Sequence, residues 1–371
     1  MTGAASATMI QPRKAVQALE PYEPGTPIEE VQRELGLAEV IKLASNENAL
    51  GPSPRALAAV REALGDLHRY PDVRGYLLKQ KLAVHLGVAP GQLVLGNGSD
   101  ELITLALRAY VEPGDEIVVA DPTFLIYQLA GRVAGATVRS VPLKQFRYDL
   151  PGMRRAITRR TKIVFIANPD NPTGSYVTAS EVAAFLEGLS DDLLVVFDEA
   201  YYELAEVPEF PRTLELVRQG RPVLVTRTFS KAYGLSGLRV GYGVAPAPIA
   251  TALNHVREPF NVNSLAQVAA VAALDDTAHL EATRAYVRAG KQAISRALDE
   301  LGVRYVPSAA NFLLLELGGR ARAVAQTLLA RGIIVREMTA WHLDGCVRVT
   351  IGTPAETERF LTALRDILRR G

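Results

Sequence analysis

Cysteine is almost missing from this sequence: Cys346 is the single one among 371 residues. No disulfide can close within the chain, and no cysteine-ligated zinc site can be built. Such sparing use of cysteine fits a reducing cytosol, so a cytoplasmic location is expected. Neither sign of charge dominates, with 41 Lys and Arg against 40 Asp and Glu and a net charge of +1. That balance argues against a nucleic acid or an anionic membrane as partner, so any anion site must be local. No apolar run approaches the ~18 residues that a membrane span needs. The opening MTGAASATMIQPRK has no apolar core of signal-peptide length, and its first eight residues read as a loose tail. The five histidines (His68, His85, His255, His279, His342) show no metal-ligand spacing, so no metal is expected. Repeats and low-complexity tracts are also lacking. What remains is 48% hydrophobic and 22% charged, an ordinary globular composition. At ~100–200 residues per domain the length suggests two domains with a sizeable core.

From about Arg55 to Val244, short apolar β-rich runs alternate with helical patterns. QLVLG, EIVVA, KIVFIA, LLVVFDE, PVLVTRT and RVGYGVA read as strands. They are apolar almost without interruption, as strands covered on both faces are. ELITLALRAY, SEVAAFLEGL and the segment before Leu64 read as helices. This alternation predicts an α/β fold, a large domain with a mostly parallel mixed sheet flanked by helices. After about Asn263 the texture changes. A long helical stretch over 267–301 precedes the short strands VRYVP, NFLLLEL, GIIVRE and CVRVTIG, then a terminal helix from Pro354. The expected division is an N-terminal arm over 1–40, a large domain over 41–262 and a smaller α+β domain over 263–371. The Pro- and Glu-rich arm is expected to pack on the smaller domain or cross to another subunit.

Four polar clusters directly follow strand-like runs: 96–101 (GNGSDE), 168–174 (NPDNPTG), 198–201 (DEAY) and 228–231 (TFSK). Ligands of open α/β sheets bind outside the carboxyl ends of the strands, so these four segments are predicted to meet in one crevice. The first suits an anion. Its glycines allow close approach of backbone N–H groups, and Ser99 can cap the helix that follows. Asp198 ends a very apolar run, where a bare carboxylate would be costly, so it should be paired or hydrogen-bonded. Each cluster taken alone has an ordinary reading: a glycine turn, a helix-capping carboxylate, a solvated surface lysine.

Together they match a known pattern. SKAYGLSGLRVGY at 230–242 resembles the cofactor-lysine motif of the fold-type I pyridoxal-phosphate aminotransferases of class I/II. Asn168–Gly174 looks like their NP-x-NPTG loop, and Phe197–Tyr201 like their DEAY element. A narrower similarity, to the histidinol-phosphate aminotransferases, lies in LASNEN at 43–48 with GPSP at 51–54. HRYPD at 68–72, SAANF at 308–312 and CVRVTIGT at 346–353 extend it. Two departures are mild: Ser99 stands where alanine is common, and Phe124 where the ring-stacking aromatic is often tyrosine.

The resemblance implies a site. Lys231 would hold pyridoxal 5'-phosphate as a Schiff base and act as the proton shuttle. Asp198 would face the pyridine nitrogen, Asn171 and Tyr201 the ring 3'-oxygen, and Phe124 the ring face. Ser99, Asp100, Ser230 and Arg239 would hold the phosphate, with Tyr70 reaching it from a second subunit, which implies a homodimer. Arg336 and Arg348 would grip the substrate anion, and Tyr22 and Asn48 would close over it. The implied reaction joins L-histidinol phosphate and 2-oxoglutarate to give imidazole acetol phosphate and L-glutamate, a step of histidine biosynthesis. Threonine-phosphate decarboxylation and broad aromatic transamination on the same fold are alternatives. A pyridoxal-phosphate-binding regulator without turnover is another, disfavoured because the ~40 residues ahead of the first motif are too short and too rich in Pro and Glu for a DNA-binding helix pair.

Overall fold

A computed structural model describes residues 10–17, 19 and 25–370. Seven strands form the main sheet: β1 (Leu93–Gly96), β2 (Glu116–Asp121), β3 (Thr137–Pro142), β4 (Thr161–Ala167), β5 (Leu194–Asp198), β6 (Val223–Thr228) and β7 (Gly241–Val244). Their order across the sheet is β1-β7-β6-β5-β4-β2-β3. All pairs are parallel except those of β7, which runs antiparallel to both β1 and β6. The mixed, mostly parallel sheet expected from the apolar runs is therefore present, with helices against it.

The reason lies in the side chains. Every residue of β1, β5, β6 and β7 is buried, the apolar ones as their runs demand and the polar ones at the strand ends with partners. Helix Ser99–Tyr110 seals the sheet with Leu102, Ile103, Leu105, Ala106 and Leu107. Each such fully buried Leu or Ile contributes ~1.5–3 kcal/mol relative to exposure. Strand β3 escaped sequence reading. It lies at the edge, pairs only with β2, and its TVRSVP is largely exposed, so it carries no apolar run.

The stretch over 267–301 is two helices, Ser264–Leu274 and Thr277–Glu300. The break is chemical: Asp276 accepts a hydrogen bond from the His279 N–H and caps the second helix, while also accepting from the Ser53 hydroxyl at 2.6 Å. The first helix buries Ala266, Ala269, Ala270 and Ala273 in the core of the main sheet. A second core gathers Leu43, Ile294, Leu298, Leu313, Val349 and Phe360. It lies on an antiparallel sheet ordered Arg336–Glu337, Cys346–Thr350, Phe312–Glu316, Arg304–Val306. The GIIVRE run divides in two: Ile333–Ile334 pairs in parallel with Ile41–Lys42, and only Arg336–Glu337 joins the antiparallel sheet. The arm helix Ile28–Leu35 packs Val31 against Ala44 and Ile334.

One ion pair pins the ends of β5 and β6. Glu199 is fully buried and Arg227 is 3% exposed; they approach to 2.8 Å. Thr213 donates to the other carboxylate oxygen, and the guanidinium lies 3.3 Å from the centre of the Tyr202 ring. Removing one partner of such a pair leaves a buried charge uncompensated, which costs ~3–5 kcal/mol. Glu199→Ala should therefore lower the unfolding free energy by about that amount in urea titrations, and Glu199→Gln by less. A loss under ~1 kcal/mol for the alanine variant would contradict this account.

Candidate active site

The carboxyl ends of the parallel strands frame a cavity of about 290 Å³. Nine of the residues singled out from the sequence line it: Ser99, Asp100, Phe124, Asn171, Asp198, Tyr201, Ser230, Lys231 and Arg239. They come from five separate segments that the sheet order brings side by side.

At one end of the cavity stands the start of helix Ser99–Tyr110. The expected cap is corrected here: Ser99 is the first helical residue, and the capping position is Gly98, which offers no side-chain oxygen. The first helical N–H groups thus remain for an anion, with the helix dipole behind them. Two glycines keep this end open. Gly98 has φ +76°, and a Cβ there would sit 2.7 Å from Arg239 Nη2. A Cβ on Gly241 would meet the Ser99 nitrogen at 2.7 Å and the Gly98 carbonyl carbon at 2.8 Å. Ser230 Oγ accepts from Thr228 Oγ1 at 2.9 Å, so its own proton is left to donate. Arg239 donates to Asp100 Oδ2 at 3.3 Å.

Asp198 closes another wall. Its Oδ2 accepts from Tyr127 Oη at 2.6 Å and its Oδ1 from Thr226 Oγ1 at 3.2 Å. Burial pushes the carboxyl up to about 6, and the Tyr127 hydrogen bond opposes that. Its hydrogen-bond partners are two hydroxyls and the Ala200 backbone rather than cations, so a protonated ring nitrogen is the kind of ligand that would complete it. Tyr127 was not anticipated from the sequence. The signal available was only its nearness to Phe124, which stands just ahead of the helix Ile126–Ala134 that carries Tyr127.

Lys231 Nζ donates to the Ser45 carbonyl at 3.3 Å. Burial, aided by the positive charge of Arg348, brings the amine down to about 8. Asn171 is reached by an Nη1 hydrogen bond from Arg348, which also donates through Nη2 to the Ala44 carbonyl at 2.7 Å. Because the Asn171 oxygen is taken by the guanidinium, its NH2 group is the end left for the cavity. The loop below Asn171 is held by Asp170, another residue not singled out beforehand. Asp170 is wholly buried and accepts from Thr123 Oγ1 at 2.7 Å and Thr173 Oγ1 at 2.8 Å. It ties the segment carrying Phe124 to the segment carrying Asn171.

Arg336 lies outside this cavity, on a larger one of about 1290 Å³ that also touches Ala44 and Leu125. It is the direct cross-strand partner of Arg348. Both guanidiniums lie over the ring of the buried Trp341, at 5.0 and 5.9 Å. Other expectations fare differently. Asn48 does not face the cavity: its NH2 donates to the Ala232 carbonyl and Thr283 Oγ1, and its oxygen accepts from Leu50 N and Tyr286 Oη. Asn46, two residues earlier, is the one that reaches Tyr201, at 2.9 Å. Tyr70 is 82% exposed, stacks on Phe260 and does not line the cavity of its own chain. Tyr22 lies outside the described residues. The uncapped helix start, the open glycine cradle, the hydroxyl-bound carboxylate and the weakly basic lysine together fit a phosphorylated aldehyde with a basic ring nitrogen. Among the described residues no group of His, Cys, Asp and Glu is placed to hold a metal ion.

Comparison with known proteins bears on this arrangement. The family model for aminotransferases of class I and II matches residues 38–364. The histidinol-phosphate aminotransferase of Moorella thermoacetica is 50% identical over 363 residues, which cover 98% of this chain and 94% of that one. Histidinol-phosphate aminotransferase 2 of Pseudomonas fluorescens is 47% identical, with 96% of each chain covered. A solved structure of histidinol-phosphate aminotransferase from Sinorhizobium meliloti, in complex with pyridoxal-5'-phosphate, superposes with a TM-score of 0.90 at 32% identity. It covers 99% of this chain and 100% of its own.

The lowered basicity of Lys231 has a measurable consequence. The neutral amine is the form that attacks an aldehyde, and here it predominates above a pH of about 8 rather than above 10.5. The rate at which the protein captures pyridoxal phosphate, followed as growth of visible absorbance after rapid mixing, should climb with pH to about 8 and then flatten. A rate still climbing well beyond that point would mark an ordinary exposed lysine.

Proposed function

We infer the function from one premise: this chain belongs to the aminotransferase class I and II family. It is a pyridoxal-phosphate-dependent transaminase that moves the amino group of L-histidinol phosphate to 2-oxoglutarate, giving imidazole acetol phosphate and L-glutamate in histidine biosynthesis. The observation that carries the substrate assignment is the pairing of Arg336 with Arg348 in register on adjacent antiparallel strands. Like charges directly opposite one another destabilise a sheet. A dianionic phosphate ester at that place relieves the repulsion, and the planar forks of two arginines suit its oxygens. The dicarboxylate acceptor uses the same pair in the second half of the reaction.

Bound pyridoxal phosphate supplies the electron sink for the charge left when the substrate loses its α-proton. The protein does the rest. Lys231 Nζ would hold the cofactor and, once displaced by the substrate amine, would take the α-proton and deliver it to the carbon on the far side of the substrate nitrogen. Its lowered basicity makes the neutral, proton-accepting form available near neutral pH. Asp198 favours a proton on the ring nitrogen. Asn171, with its oxygen held by Arg348, and Tyr201 direct donors to the ring oxygen, and Phe124 covers a ring face. The helix start at Ser99 and Asp100, with Ser230 and Arg239, holds the cofactor phosphate.

The site is completed by a second copy of the chain. Tyr70 stands exposed on its own subunit, beside Phe260 and near the exposed Val73, Tyr76 and Leu77. An apolar surface of this kind marks a protein contact. Tyr70 of one subunit would cross it to the cofactor phosphate of the other. The enzyme is assigned to the cytoplasm; none of the described helices is long and apolar enough to cross a membrane.

The direct test mixes the protein, pyridoxal phosphate, histidinol phosphate and 2-oxoglutarate and measures glutamate. No glutamate, or carbon dioxide released from threonine phosphate instead, overturns the assignment. Lys231→Ala should lose both the visible absorbance and turnover. Arg336→Leu should raise KM for histidinol phosphate by roughly 10–100-fold while changing kcat much less, because it removes phosphate binding rather than chemistry.

A further inference from the structure

Tyr201 is held by a chain of hydrogen bonds whose direction is set by three buried groups. Asn46, Tyr201 and Thr350 are each no more than 3% exposed, so bulk water does not compete for their bonds. The backbone N–H of Asn46, which can only donate, points at Thr350 Oγ1 at 2.9 Å. The single proton of that hydroxyl goes to Asn46 Oδ1 at 3.1 Å. The Asn46 side-chain oxygen is thereby turned toward Thr350, and its NH2 faces Tyr201, donating to the phenol oxygen at 2.9 Å. A phenol that accepts from Asn46 cannot also give Asn46 its proton. That proton is left for the cavity that Tyr201 lines.

We propose that Asn46 and Thr350 are positioning residues that aim the Tyr201 hydroxyl proton at the cofactor's ring oxygen. This rests on the cofactor assignment made above. The geometry is held from several sides. Asn46 adopts φ +55°, and its carbonyl accepts from Asn311 Nδ2 at 3.1 Å. The Thr350 N–H is tied to the Leu43 carbonyl at 2.8 Å. Thr350 lies two residues from Arg348 on the same strand, hence on the same face. The charged groups around Tyr201 are Arg348 from that strand, Asp198 from its own segment, Asp170 from the loop after β4 and Lys231 after β6. The ring of Phe312 meets Tyr201 edge-on at 5.4 Å. Burial pushes the Tyr201 phenol up to about 12, so it carries its proton across the working pH range.

A donor aimed at the ring oxygen stabilises negative charge there. It therefore eases loss of the proton shared between that oxygen and the Lys231 nitrogen, and lowers the pH at which the bound cofactor's visible band changes. The experiment is a pH titration of that band in the holoenzyme. Thr350→Val frees the Asn46 amide to turn its oxygen toward Tyr201. Asn46→Asp places an acceptor there outright. Both should move the midpoint upward, by up to roughly one pH unit, the equivalent of one ordinary hydrogen bond. Thr350→Ser should restore the wild-type midpoint. In a Tyr201→Phe background, Thr350→Val should add no further shift, since there is no proton left to aim.

Unchanged midpoints in both single variants, or an equal shift in the Tyr201→Phe background, would overturn the relay. So would failure of the serine variant to restore the midpoint. A wild-type holoenzyme with no visible band at all would overturn the cofactor assignment first, and the relay with it.

Discussion

A carboxylate held inside the protein governs the site. Asp198 sits at the end of β5, between two parallel neighbours in a sheet covered on both faces. Bare burial of such a group is expensive, and the fold meets that cost with hydroxyls: Tyr127 from the helix after β2 and Thr226 from β6. Neither neutralises the charge. A cationic group at the cavity is the kind of partner that would neutralise it. Much of the remaining architecture surrounds that point: the strand ends that deliver Lys231 and Asn171, and the buried Glu199–Arg227 pair that holds β5 and β6 in place behind it.

Arg348 joins the two sheets at the site. It belongs to the smaller antiparallel sheet, yet it holds the oxygen of Asn171 from the larger one and the Ala44 carbonyl of the entering segment. Its charge also helps lower the basicity of Lys231. One guanidinium thus sets the orientation of the Asn171 amide and depresses the basicity of the Lys231 amine. When an anion pairs with Arg348, part of that pressure on Lys231 is relieved, so substrate charge and lysine basicity are coupled through one guanidinium.

Much of this was legible from residue order because it is local. Apolar runs followed at once by GNGSDE, NPDNPTG, DEAY and TFSK place polar groups at strand ends, and parallel pairing puts those ends on one side. What escaped has physical causes. Edge strand Thr137–Pro142 buries only Val141 fully, too little to write an apolar run. The split at Asp275–Asp276 depends on capping chemistry inside an otherwise helical composition. Ser99 read as a cap because serine usually caps, whereas the preceding glycine holds that position and leaves the helix start open.

Residue order by itself determined the α/β alternation, the convergence of Lys231, Asp198 and Asn171, and the glycine-rich anion cradle. Each follows from neighbours in sequence or from the period of buried side chains. The tertiary structure alone decided which partner each polar atom has. It turned Asn48 inward and gave Tyr201 to Asn46, placed Arg336 opposite Arg348, and left Tyr70 outside its own cavity. Asn46 and Thr350 are 304 positions apart. A hydrogen bond across that distance, and the direction in which it points a proton, depend on the packing of two sheets and a connecting segment, which no local pattern records.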